Sequence, residues 1–274
     1  MTARIASLHL YPLKGGRAVD VAGADVLATG LRGDRGYMVV DEHDRFLSQR
    51  EISRLALIQA RLDDGGLVLR CPGLAPLRVA PEQSVERRIV RIWRDRCPAD
   101  DQGEEPAAWV SRALGHPCRL VRKTADVPRQ VDQRYAVSPD DVVSFADGYP
   151  MLVTSTSSLD ALNRELEVPL PMNRFRPNLV VSGWEAPFCE DRVRRLRAGA
   201  VELALVKHCA RCVVTTVEQA TAERGEEPLR TLARIRRRGD GVLFGENAIP
   251  LSLGTLAIGD EIEVLEWAPE LEPA

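Results

Sequence analysis

The sequence predicts an α+β protein that is mainly β: a β-barrel with helical insertions, joined to an N-terminal β-rich domain. Three observations predict it. Short alternating apolar segments recur along the chain, Gly, Pro, Asp and Asn punctuate them, and only three stretches carry helical spacing. The 274 residues suffice for two ordinary domains or one large β structure. With 45% hydrophobic and 28% charged residues, the chain reads as globular. A net charge of −3 gives no overall bias toward nucleic acid or membrane.

The segment 4–11 alternates and reads as the first strand, which also argues against a signal peptide. Strands are expected over 37–40 and 46–49 around the polar turn 41–45. Further strands are expected over 55–62 and 66–71 around Asp63-Asp-Gly-Gly66, and over 89–93. A helix fits 105–114, with Pro106 in its first turn and Gly115 after its end. The pattern lapses into a polar connector over 123–133, which sets expected domains at 1–122 and 123–270.

Beyond the connector, 159–166 reads as a short amphipathic helix capped by Ser157 or Ser158. Strands are expected over 178–182 and 201–206, and helical spacing returns over 228–237. Glycines and Asn247 divide the remainder into strands over 242–244, 248–252, 254–258 and 261–267, followed by a frayed acidic tail over 269–274. No run of about 18 apolar residues suggests a membrane span.

Six cysteines (71, 97, 118, 189, 209 and 212) are too sparse for a disulfide scaffold. Without an export signal they read as free thiols in a reducing cytoplasm. Basic residues are almost all arginine; only Lys14, Lys123 and Lys207 are lysine, for which genomic base composition is the simplest account.

Cys212 draws attention first. Arg211 precedes it, and Val213-Val-Thr-Thr-Val217 follows with strand composition. A cationic neighbour lowers a thiol's pKa and favours a nucleophilic or metal-ligating sulfur. Cys209-Ala-Arg-Cys212 has the spacing of zinc and thiol-redox sites. A structural zinc would need a second ligand pair, which is missing, and His208 adjoins Cys209 awkwardly. A thioredoxin-like role needs the pair at a helix start, whereas this pair enters an expected strand. Two buried structural cysteines are the plain alternative.

Asn173-Arg-Phe-Arg-Pro-Asn178 fits an anion-binding corner, since arginine offers a planar fork of donors. It fits equally a solvated turn with Arg174 outward and Phe175 buried. Lys14 before Gly15-Gly16, Arg35 in a tight loop, and Asp147 before an apolar segment are ordinary loop charges when taken singly. The basic run 234–238 suits a helix end. Phosphate loops, G-x-S-x-G and H-E-x-x-H are all missing, and four histidines leave little room for a triad.

Together, in order, these stretches resemble the MOSC proteins that carry an N-terminal MOSC β-barrel domain, a group that includes amidoxime-reducing and N-hydroxylated-base-reducing enzymes. The resemblance rests on Tyr11-Pro-Leu-Lys14, Leu31-Arg-Gly-Asp-Arg35, Asp147-Gly-Tyr-Pro150, Asn173 to Asn178, Cys209-Ala-Arg-Cys212 with Val-Val-Thr-Thr-Val-Glu218, and Gly259-Asp260. It implies a MOSC-type barrel that binds the molybdenum cofactor. It implies that Cys212 is the thiolate ligand to molybdenum, a soft ligand suited to that centre. Lys14, Arg35, Arg176, Asn178 and Arg211 match positions lining the pterin and phosphate, and Asp147 matches an aspartate near the metal. Gly15, Gly148, Tyr149 and Ala210 stand where relatives carry hydroxyl side chains or their neighbours, so backbone groups take over those cofactor contacts.

The implied reaction is removal of oxygen from small N-hydroxylated compounds. The run C-x₄-C-x₂-C of a [2Fe–2S] domain and a membrane anchor are both missing, so a separate ferredoxin or flavoprotein is the expected donor, with no nucleic-acid or membrane partner. MOSC domains also occur in cofactor sulfurases. The resemblance therefore admits a sulfur carrier with a persulfide on Cys212 or Cys209, or a non-catalytic cofactor-binding module.

Overall fold

The computed structural model describes residues 2–80, 84, 86–124, 126–239 and 241–269, so the expected tail beyond 269 lies outside the described residues. In chain order the strands are β1 (Arg4–Leu10), β2 (Val19–Val21), β3 (Gly23–Leu27), β4 (Gly30–Leu31), β5 (Tyr37–Val40), β6 (Gln59–Asp63), β7 (Gly66–Arg70), β8 (Leu77–Val79), β9 (Glu86–Ile92) and β10 (Asp95–Asp101). They continue with β11 (Arg119–Lys123), β12 (Met151–Ser155), β13 (Leu179–Ser182), β14 (Val193–Ala198), β15 (Val201–Ala210), β16 (Arg237–Arg238), β17 (Gly241–Pro250), β18 (Gly254–Ala257) and β19 (Ile262–Trp267). Among the described residues three helices interrupt them: α1 (Glu104–Leu114), α2 (Thr156–Asn163) and α3 (Leu229–Ile235). The protein is mainly β, as its patterning predicts.

The largest sheet runs β19-β14-β15-β17-β12-β13-β1-β2. Its two ends meet. Arg4 bridges Glu261, Ile5 N–H donates to Asp260 O (2.9 Å), Gly259 N–H donates to Ile5 O (2.9 Å), and Ile262 N–H donates to Ala3 O (2.8 Å). The sheet thereby curls into a barrel whose interior holds Ile5, Leu8, Val153, Leu179, Leu196 and Leu203. β1 and β2 precede the 122/123 connector in sequence, yet they belong to this sheet.

The other sheets, β5-β11-β10-β9 and β6-β7-β8, pack with α1 around Leu55, Leu67, Trp109 and Val110. β5 is buried on both faces. Tyr37 and Val39 meet that core, while Met38 and Val40 meet a second one with Val90, Val121 and Phe145. The helix α1 starts and stops as its sequence implies. Glu104 and Glu105 sit in its positive first turn, and Gly115 ends it in the left-handed region at φ 68°.

Several local expectations are corrected. Residues 53–57 form a 3₁₀ turn, closed by Leu55 N–H donating to Ile52 O (3.1 Å) and Ile58 N–H to Leu55 O (3.1 Å), and the strand begins only at Gln59. Residues 46–49 form no strand; Phe46 makes a single bridge to Val40. The helix expected over 159–166 starts three residues earlier, where the Ser155 hydroxyl accepts from Ser158 N–H (3.2 Å). β17 is one continuous strand despite Gly245, whose φ is 79°. A Cβ there would meet Val153 O at 2.8 Å and Thr154 Cγ2 at 2.7 Å, so this glycine admits β12 rather than ending the strand.

On the barrel strands, Glu246 of β17 is fully buried and bonds to His208 opposite it on β15. Burial pushes the Glu246 carboxyl up to about 7, and the bond to Glu246 raises His208. Both shifts are upward, so the folded protein holds protons that the unfolded chain releases. Stability from this pair is present at low pH and lost as pH rises through about 7. Melting temperature is expected to fall as pH rises from about 4.5 to about 7, and Glu246→Gln to flatten that slope. An unchanged slope in the variant would contradict this.

Candidate active site

One cleft gathers the residues singled out in the sequence. Lys14, Gly15, Arg35, Asp147, Gly148, Tyr149, Arg176, Asn178, Cys209, Ala210, Arg211 and Cys212 all line it. Five cationic side chains (Lys14, Arg35, Arg50, Arg176, Arg211) and one carboxylate (Asp147) face the same space. That imbalance suits an anionic ligand.

The arginine corner is built on Tyr11. The guanidinium groups of Arg35 and Arg176 stack on its ring at 4.2 and 4.3 Å from the centroid. Arg35 is tied to Asp34 and donates to Asn178 Oδ1 (2.9 Å). Asn178, itself buried, also accepts from Leu152 N–H (3.2 Å) and donates to His9 O (3.2 Å). Arg176 donates to Gly16 O (2.7 Å). Its burial lowers the guanidinium to about 10, still charged at neutral pH. Both arginines take left-handed backbone (φ 46° and 57°), which turns loops 30–35 and 173–178 back on themselves. Arg174 is not the outward residue of a solvated turn. It is 5% exposed, donating to Thr215 O (2.8 Å) and pairing with Glu218 (2.8 Å). It clamps the segment that follows Cys212.

Lys14 and Asp147 form an ion pair. Burial lowers the Lys14 ammonium despite Asp147. Around Asp147 the protein walls push the carboxyl up, but Lys14 outweighs them and holds it far below the usual carboxylate range. The Asp147 side chain keeps 66% of its exposure, on the cleft side. Arg129, buried in the connector, fixes this loop by donating to Ala146 O (2.6 Å) and Asp147 O (3.0 Å).

Arg211 corrects the argument from adjacency. Its guanidinium donates to Cys209 Sγ (2.8 Å) and Phe175 O (2.6 Å), not to the neighbouring Cys212 sulfur. Burial nevertheless pushes the Cys209 thiol up. The Arg211 Nε–H is buried without an acceptor. After Cys212 the chain forms a 3₁₀ turn over Val213–Thr216, not the expected strand. The Thr215 and Thr216 hydroxyls donate to the carbonyls of Cys212 (2.9 Å) and Val213 (2.8 Å), so β-branched residues here favour a turn. Tyr149 reaches the cleft but packs its ring with Val131, Val143 and Ile249.

Sequence reasoning missed Phe46, Gln49, Arg50 and Trp93, which also line the cleft. Trp93 Nε1–H donates to Asp147 Oδ1 (3.2 Å), and Arg50 stacks on its indole at 4.4 Å. Gln49 donates to Gly15 O (2.7 Å). The signal available for Trp93 was an aromatic at a hairpin tip between arginines.

Residues 140–263 match the MOSC domain, and residues 2–117 match the MOSC N-terminal beta barrel domain. The chain is 32% identical over 278 residues to mitochondrial amidoxime-reducing component 1 of Xenopus laevis, covering 94% of this chain and 81% of that protein. It is 31% identical over 283 residues to the same component of Homo sapiens, covering 95% and 82%. Mitochondrial amidoxime reducing component 2 of Bos taurus matches at 30% identity over 277 residues, covering 94% and 82%. With both domains in order and such relatives along nearly its whole length, this chain belongs to the family of MOSC proteins with an N-terminal MOSC β-barrel domain.

Proposed function

We propose that the cleft binds the molybdenum cofactor and that the protein reduces small N-hydroxylated compounds, R–NHOH + 2e⁻ + 2H⁺ → R–NH₂ + H₂O. The observation that carries the reading is the cleft's donor set: two cysteine thiols beside five cations and one carboxylate. The unpaired Arg211 Nε–H and the Arg35–Arg176 corner fit an anionic pterin phosphate. Cys212 would hold the metal; Lys14, Arg35, Arg176, Asn178 and Arg211 would hold the pterin and phosphate. Gly15, Gly148, Tyr149 and Ala210 would offer backbone groups.

When bound, the cofactor supplies two-electron chemistry that accepts an oxygen atom from substrate. The chain's own part is acid–base and positional. Asp147 stays ionised at neutral pH and can accept a hydrogen bond from the substrate hydroxyl or released water. Lys14, whose ammonium is made more acidic by burial, is the better proton donor of that pair. Electrons come from a separate ferredoxin or flavoprotein in the cytoplasm, without nucleic-acid or membrane partners. Among the described residues no helix is long and apolar enough to cross a membrane.

Protein from a molybdenum-replete host should carry close to one molybdenum per chain and reduce an N-hydroxylated amidine with a reduced viologen as donor. Metal-free protein with cyanide-releasable sulfur would favour the persulfide carrier instead, a reading helped by Cys209 facing the same cleft. Molybdenum without any such reduction would leave a binding module.

A further inference from the structure

The hairpin β9–β10 carries a charge arrangement that folding alone does not explain. Arg91 and Arg96 are direct partners across its two strands, so their side chains leave the same face about 5 Å apart at Cβ. Like charges placed directly opposite weaken a sheet. Arg94 follows in the turn, and all three arginines are exposed. Neighbouring arginines are neutralised: Arg87 by Asp126, Arg88 by Asp101, Arg129 by Asp95. Among the described residues, no ion pair involves Arg91, Arg94 or Arg96.

Two apolar side chains accompany this charge. Ile89 lies two residues before Arg91 on the same face and is 58% exposed. Trp93, 42% exposed, occupies the turn with left-handed backbone at φ 55°, an uncommon conformation for so bulky a residue. Its indole lines the cleft and bonds Asp147, so the hairpin tip forms one lip of the opening that also exposes Cys212. Tryptophan and arginine at the centre of an exposed patch are the residues that dominate transient protein interfaces.

We infer that this face is the docking surface for a small acidic electron-transfer protein, an inference that rests on the reductive reading of the cleft. Each turnover of that reaction takes two electrons from outside. A carrier seated on the β9–β10 hairpin would bring its redox group to the lip of the cleft, with carboxylates meeting the three unpaired arginines. The repulsion between Arg91 and Arg96 is then relieved only in the complex.

The test uses the full chain and an acidic plant-type [2Fe–2S] ferredoxin as probe, with binding measured by calorimetry at about 20 mM and about 300 mM salt. Wild type should bind at low salt and weaken at least about tenfold at high salt, and Arg91→Glu/Arg94→Glu/Arg96→Glu should weaken low-salt binding at least about tenfold. The single variant Arg96→Glu places a carboxylate opposite Arg91. It should therefore raise the melting temperature while weakening binding. Equal affinity of wild type and triple variant, salt-insensitive binding, or no association at low salt overturns the docking surface. So does tighter binding of heparin than of ferredoxin, which would mark a general polyanion site. Viologen-driven reduction by the same variants should match wild type. If wild type itself reduces nothing with viologen, the reading of the cleft fails, whereas the calorimetric result judges the surface alone.

Discussion

Cys212→Ser is expected to strip molybdenum from the purified protein to background and to lower N-reduction at least about 100-fold. Serine keeps the shape but offers a hard hydroxyl where the centre needs a soft thiolate. Cys209→Ser is the matched control, since Cys209 shares the cleft and sits three residues away. Burial raises the Cys209 thiol and so keeps it protonated, a poor state for a ligand. The control should hold its metal and stay within about threefold of wild-type activity. Metal analysis and thermal melting on both variants decide the matter. Loss of molybdenum in the Cys209 variant with retention in the Cys212 variant would reverse the assignment.

The second large effect is expected at Asn178, whose amide joins the arginine corner to the barrel. Asn178→Leu keeps the volume but leaves Leu152 N–H, His9 O and one Arg35 N–H without their partner. Unmade bonds at a buried site should cost about 3 kcal/mol together. In a chain of this size that corresponds to a fall of about 6–10 °C in melting temperature. Because Arg35 loses its anchor, molybdenum content should fall as well. A variant that melts within about a degree of wild type and keeps its metal would show that Asn178 only fills space.

Much of the barrel was legible because its strands alternate, as the first part of β15 does, whereas in β1 a bulge between Ile5 and Ser7 puts Ile5 and Leu8 in the core together. The ends of α1 were legible because Pro106 and Gly115 act through backbone chemistry alone. What failed depended on side chains answering their own backbone. Val213–Thr216 has strand composition, yet two threonine hydroxyls bond back three residues and turn the chain.

At the site, the loop charges Lys14, Arg35 and Asp147 were uninformative one by one. Their meaning came from segments more than a hundred residues apart meeting at one cleft. Arg129 was invisible for the same reason, and Trp93 offered only its place between arginines at a hairpin tip. Adjacency misled at Arg211, where the chain direction takes the guanidinium to the sulfur two residues back.

The closure between β1 and the residues just before β19 also bears on how the chain reaches its native state. Arg4 meets Glu261 across 257 positions, so the seam can form only after nearly every residue is available. Such distant pairing carries a large loop-closure entropy and belongs to slowly folding topologies. During synthesis the emerging strand 4–10 can pair at once only with β2, and its other edge stays open until β13 and the 259–262 seam arrive. A fragment cut at the connector would lack β1 altogether. It would present β13 and the 259–262 seam as adhesive edges, and is expected to aggregate rather than to behave as an independent barrel.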